Sequence, residues 1–308
     1  MNPSVDTGIV TRRDCLKSLF VSASAIGFGA PFLGFSDESD VLTRAGLKLA
    51  VQQYTFNRQL RSGELKIEDY PRTVVEGTGM KALEYYNGHM MDRAKDRKLF
   101  RGLKKTCDDL GAVNTMMLLK SNNALDSKKA EIRKAAVEEY KPWLEAMKVL
   151  GGFCVRVDVR SSGDYEEQLK HAADGLNQLC DVAEKMGLQI VVENHGGWSS
   201  NGEWVAKLMK KVGRDSCGTL PDFQNFKDYD PYKGVEEMMP WAKIVCAKAI
   251  EFNEAGNEVR VDYGRMFRIV KKAGFKGYVG IEFEGHDVDP VKGILITKAL
   301  IERSVAAA

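Results

Sequence analysis

From Gly46 onward, short apolar runs separated by polar helical stretches recur eight times, at 47–54, 80–86, 113–119, 153–159, 188–193, 217–222, 243–248 and 278–283. Strands that alternate with helices run in the same direction, so this order predicts a parallel sheet. The stretches between the runs carry helical spacing. Leu103, Cys107 and Leu110 fall on one face of 95–110, and Tyr263, Phe267 and Val270 on one face of 261–273. Further helices are expected over 127–150 and 165–186. Several stretches stop at a glycine (Gly111, Gly151, Gly187, Gly213, Gly274), the residue that takes a left-handed cap without strain. Eight such units in a chain of 308 residues predict an α/β fold, a (β/α)8 TIM barrel over residues 39–308. The alternative, an open doubly wound sheet, usually shows a Gly-rich phosphate turn after its first strand. Here that strand runs into Gln52, Gln53, Tyr54 and Thr55.

Residues 1–38 read differently. Basic TRRDCLK at 11–17 precedes an apolar, small-residue stretch over 18–35 and then an acidic break at 36–40. That is the layout of an export signal with a short linker. The adjacent Arg12 and Arg13 resemble the twin-arginine signal, with Cys15 where Phe is usual. The resemblance implies the twin-arginine export machinery as a partner and a periplasmic, exported enzyme. Gly27, Gly29, Pro31 and Gly34 make the apolar stretch a poor spanning helix, so no membrane is expected for the mature form.

Charge narrows the function classes. Lys plus Arg total 45 and Asp plus Glu total 43, a net charge of +2, which lacks the strong positive field of a dedicated nucleic-acid binder. Six cysteines without a C-x-x-C pair form neither a disulfide scaffold nor a zinc ribbon. The chain is compatible with a homo-oligomer.

In a barrel, function belongs at the C-terminal ends of the strands. Polar residues stand there: Glu84, then Asp158 and Arg160, then Glu193, Asn194 and His195, then Asp222, Lys248, Glu282 and Glu284. Alternation sorts their faces. On the last strand Val279, Ile281 and Phe283 suit the outer helices, which leaves Tyr278, Gly280 and Glu282 inside. Val191 and Glu193 share the inward face of the fifth strand. Three carboxylates, Glu193, Asp222 and Glu282, therefore converge on one mouth. Like charges packed together raise one another's pKa, and a divalent cation removes that cost. Oxygen donors favour Mn or Mg; Zn or Co gains as N or S donors join.

VVENHGG at 191–197, LPDFQNF at 220–226, IVCAKAIEF at 244–252 and GYVGIEFEG at 277–285 resemble the xylose isomerase-like barrel family. It contains sugar isomerases, ketose 3-epimerases, dehydratases and endonuclease-IV-type nucleases. The resemblance implies one divalent metal held by Glu193, Asp222 and Glu282, with Cys246 where the family has histidine. It also implies proton transfer by Glu193 and Glu282 through an enediolate, with Lys248 beside them, on a carbohydrate substrate. A dehydratase or lyase acting on a 3-keto sugar, and a sugar-binding barrel without catalysis, stay open. The nuclease branch needs more histidine than His89, His171, His195 and His286 supply, and it has histidine where Asn225 stands.

The fourth metal donor has three candidates: Cys246, His195 and water. Alternation from Glu193 points His195 to the same side, which favours His195. Glu84, His89, Trp198 and Asn225 are candidate substrate contacts. His89 is read equally as a loop residue, and Trp198 either stacks on a sugar ring or caps the barrel, the former being favoured. Arg156 is expected to partner Asp158 or a neighbouring acid. Cys107, Cys154, Cys180 and Cys217 are expected to act as small core residues.

Overall fold

The computed structural model describes residues 40–308. The export reading of residues 1–38 therefore lies outside the described residues. Eight parallel strands form one sheet: β1 (Leu47–Gln52), β2 (Ala82–Tyr86), β3 (Val113–Leu118), β4 (Cys154–Val157), β5 (Gln189–Glu193), β6 (Cys217–Leu220), β7 (Val245–Ala249) and β8 (Gly277–Phe283). Their order is β6-β5-β4-β3-β2-β1-β8-β7. Single parallel bridges, Thr219 to Ala242 and Asp222 to Cys246, bring β6 and β7 together and nearly close the barrel. Helices surround it, including Arg97–Asp109, Ala130–Leu150, Tyr165–Ala183, Gly202–Val212, Tyr263–Lys272 and Pro290–Ala307. No described helix is long and apolar enough to cross a membrane.

Local chemistry sets the element ends. Asp96, Asp164, Asn201 and Asp262 each accept a backbone N–H of the first helical turn, which satisfies donors the helix cannot. The five glycines expected as helix stops all have positive φ. β1 ends at Gln52 because Gln53–Phe56 wind into a 3-10 turn. β6 ends at Leu220 because Pro221 has no N–H for a ladder.

Alternation divides the apolar side chains into two cores. Val279 and Ile281 pack with the helices in the large outer core. Met116, Leu118, Cys154, Val191, Leu220, Ile244 and Cys246 fill the barrel interior, with Tyr278 against them. Gly280 also faces inward: a Cβ there would come within 2.7 Å of the Glu84 carboxylate, so only glycine leaves Glu84 its room. The four cysteines expected in the core are all buried.

At the C-terminal face, side chains continue the ladder where the strands stop. Gln53 Oε1 accepts the Tyr86 N–H at 3.0 Å. Asn87 donates to the Lys120 carbonyl at 2.9 Å and accepts the Lys120 N–H at 2.7 Å. Asn194 exchanges the same pair of bonds with Asp222. Gln224 donates to the Lys248 carbonyl at 2.8 Å, and Thr55 Oγ1 accepts the Phe283 N–H at 3.0 Å. Five junctions between neighbouring strands are thus tied by residues just past the strands.

Candidate metal centre and active site

Glu193 closes β5, Asp222 follows β6, and Cys246 and Glu282 lie on the inward faces of β7 and β8. All four are buried, and their donor atoms lie within 4.8 Å of one another. Donors bound to one ion at 2.0–2.3 Å sit at most about 4.6 Å apart, so a group spanning up to 4.8 Å needs to contract only slightly to hold a single ion. Asp222 is aimed by its backbone neighbours. Its Oδ1 accepts the N–H groups of Gln224 (2.7 Å) and Asn225 (2.9 Å), while Oδ2 has no hydrogen-bond partner. A buried carboxylate oxygen left without a donor fits a cation. Three carboxylates and one thiol form a donor set for a divalent metal.

Charges around the group are unequal. Arg156, 5% exposed, pairs with Glu193 and lies 3.0 Å from Asp158. Burial alone would raise both acids. Arg156 together with the neighbouring cationic groups, Arg160 and His195 at Asp158 and Lys248 and His195 at Glu193, outweighs it, lowering Glu193 and taking Asp158 down to about 2. Burial pushes Glu282 up to about 8; Lys248 opposes this, and Glu284 and Glu193 add to it. Burial, with a smaller push from Glu193, also raises Asp222 against Lys248. The Lys248 ammonium lies 2.6 Å from Glu284, 3.2 Å from Glu282 and 3.7 Å from Asp222. These acids hold it protonated well above its usual range, against its burial. Cys246 donates toward Glu282 at 3.5 Å; burial and then Asp222 and Glu282 push its thiol well up. Asn225 ties the two sides, donating to Glu193 at 3.0 Å and accepting from Lys248 at 3.1 Å.

The group opens into a cavity of about 330 Å³, walled by Tyr54, Tyr86, Lys120, Asp158, Arg160, His195 and Asn225 among others. The structure brings Glu193, Asp222, Glu282, Lys248 and Asn225 together as expected from their strand ends. It places His195 elsewhere. β5 ends at Glu193, so strand alternation does not carry on to His195, whose Nδ1 lies 3.3 Å from both Asp158 and Arg160. Cys246, not His195, stands with the three carboxylates.

Three expected substrate contacts stand outside the cavity wall. β2 continues to Tyr86, which leaves Glu84 two residues below the rim, fully buried. Its carboxyl is pushed well up by burial, with Glu282 and Glu193 adding. His89 sits outside the wall, 3.0 Å from Asn57 and against the rings of both Tyr54 and Tyr86. Burial lowers its pKa to about 4. Trp198 caps the loop: its indole N–H donates to the Gly163 carbonyl at 3.0 Å, and its ring meets Tyr165 edge-on. The sequence reading passed over Tyr54, Tyr86 and Lys120 as wall residues. Tyr86 ends β2, and Tyr54 and Lys120 lie two residues past β1 and β3; that position was the available signal.

Solved structures share the fold. A sugar phosphate isomerase/epimerase from Parabacteroides distasonis is 18% identical, with 83% of this chain and 94% of that chain covered and a TM-score of 0.65. The IOLI protein, solved with a bound zinc atom, is 16% identical over 84% and 98%, with a TM-score of 0.67. A 3-keto-D-glucoside 4-epimerase from E. coli is 14% identical over 83% and 99%, with a TM-score of 0.65. At these identities the likeness is one of fold. Among curated proteins none matches significantly. The family model described as xylose isomerase-like TIM barrel matches residues 73–303, and the chain belongs to that family.

Proposed function

We propose that the protein is a divalent-metal-dependent isomerase or epimerase acting on a carbohydrate. The observation that carries this reading is the meeting of Glu193, Asp222, Cys246 and Glu282, of which Glu193 and Glu282 line a cavity on the C-terminal face. A divalent ion held there supplies Lewis-acid stabilisation for negative charge developing on sugar oxygens. Mn or Mg suits the carboxylates, and the Cys246 sulfur adds a soft donor that favours Zn or Co.

The protein's own residues would move the proton. Glu193, held ionised by Arg156, takes a proton from the carbon beside the sugar carbonyl. Glu282 returns one from another strand. Return to the other face of the same carbon gives an epimer; return to the neighbouring carbon gives an isomer. Lys248 holds positive charge between Glu282 and Glu284, and Asn225 fixes its distance from Glu193. Export by the twin-arginine route remains a proposal carried by the sequence of residues 1–38.

The test is a screen of ketoses, aldoses and 3-keto sugars in D2O with added Mn, Mg, Co or Zn, read by NMR. Deuterium entering beside the carbonyl, with an epimer or isomer as product, supports the reading. Loss of water or a broken glycosidic bond would assign a dehydratase or lyase instead. Binding without exchange would assign a sugar-binding barrel.

A further inference from the structure

Two cations at the cavity mouth, Lys120 and Arg160, stand outside the close ion pairs of the site. Arg156 is engaged by Asp158 and Glu193, and Lys248 by Glu282 and Glu284. Lys120 and Arg160 line the same cavity. Among the described residues the Lys120 ammonium has neither an ion pair nor a hydrogen bond. Arg160, with half its side chain exposed, meets His195 Nδ1 at 3.3 Å and has its nearest acid at 3.8 Å, Asp158, already 3.0 Å from Arg156.

The backbone beneath both cations is pinned. Asn87, fully buried, grips both backbone groups of Lys120. Asp126, 2% exposed, accepts the N–H of Ser161 at 2.8 Å and its hydroxyl at 2.7 Å. On the other side, a Cβ at Gly197 would come within 2.0 Å of the Arg160 carbonyl, so the two loops meet at backbone distance. Lys120 and Arg160 follow adjacent strands, β3 and β4. A neutral sugar gives two such cations nothing to neutralise. An oxyanion does, and bonds between ionised groups are about twice as strong as neutral ones.

We propose that the substrate is an anionic sugar, whose carboxylate or phosphate group is held by Lys120 and Arg160 while its carbonyl end lies over Glu193 and Glu282. This rests on the reading of the site as a sugar isomerase or epimerase.

The experiment compares D-fructose, a hexuronate and fructose 6-phosphate with the metal-supplemented full-length protein. It reads deuterium exchange by NMR and binding by calorimetry. The acidic sugars should exceed the neutral one by about tenfold or more in kcat/KM or affinity, a gap that narrows with added salt. Lys120→Gln and Arg160→Gln should each raise KM or Kd for the preferred acidic sugar by about tenfold. The uronate and phosphate arms tell which oxyanion is read. Tight binding of an acidic sugar without exchange would keep this proposal and remove the isomerase reading. Equal handling of neutral and acidic sugars, or variants that bind the acidic sugar like the parent protein, would overturn it.

Discussion

Asn194 holds Asp222 by both ends of its peptide unit: its side-chain N–H donates to the Asp222 carbonyl at 2.9 Å, and its Oδ1 accepts the Asp222 N–H at 2.7 Å. Both residues are fully buried. Pro221 has already ended β6, so this amide stands in for the missing ladder and fixes where the Asp222 carboxylate points.

Asn194→Ala leaves both backbone groups of Asp222 buried and unpaired. It should destabilise the protein by about 2–4 kcal/mol and weaken metal binding by about tenfold or more. Chemical denaturation and metal titration of the same sample check both. Unchanged metal affinity would remove Asn194 from any positioning role.

Purified protein should bind about one divalent ion per chain. Elemental analysis counts the ion, and chelation should abolish turnover. Full activity in a sample shown to be metal-free would sink the metal-dependent reading.

Cys246 and His195 make opposite predictions. Cys246 stands among the carboxylates, so Cys246→Ala should weaken Zn or Co binding by more than about tenfold. His195→Ala should change it by a few-fold at most. The cobalt-substituted protein gives a second readout: a sulfur-to-cobalt charge-transfer band that Cys246→Ala removes and His195→Ala retains. The reverse pattern would return His195 to the metal.

Glu193→Gln and Glu282→Gln keep the shape of each side chain and remove its proton chemistry. Solvent exchange should fall by roughly 10²–10⁴-fold in each. Metal content is measured alongside, since both residues belong to the donor group. A variant that keeps its metal and exchanges normally takes no part in proton transfer.

His89 sets a pH dependence of stability. Its pKa is about 4 in the fold against an ordinary 6.5, so between these values the unfolded chain takes up a proton that the folded protein refuses. Stability is therefore full above about pH 6.5 and falls as pH drops toward 4. With partial exposure discounted, the loss is on the order of 1–2 kcal/mol. His89→Gln should flatten that part of a plot of Tm against pH. An unchanged slope would place the effect elsewhere.

The sequence made some of this legible and hid the rest, for physical reasons. Parallel strands and the acids at their ends follow from alternation, and Val279, Ile281 and Glu282 took the faces that period two assigns. Alternation misled where a strand stopped or ran on. His195 was read as pointing with Glu193, but β5 ends between them; Glu84 was read as a rim residue, but β2 has two residues left. Trp198 sits on a loop, where no period says which way a ring faces. The clamps of Asn87 on Lys120 and Asn194 on Asp222 span 33 and 28 residues, so no local pattern reveals them.

The amide clamps at the ends of the strands have an evolutionary consequence. They attach the reactive acids to the barrel itself, upstream of the loops that wall the cavity. Loops beyond the clamps can then be lengthened, shortened or exchanged without moving Glu193, Asp222 or Glu282. A change of sugar and a change of chemistry become separable events. Grafting the loop after β3 or β4 from a barrel of different specificity is the laboratory form of that inheritance.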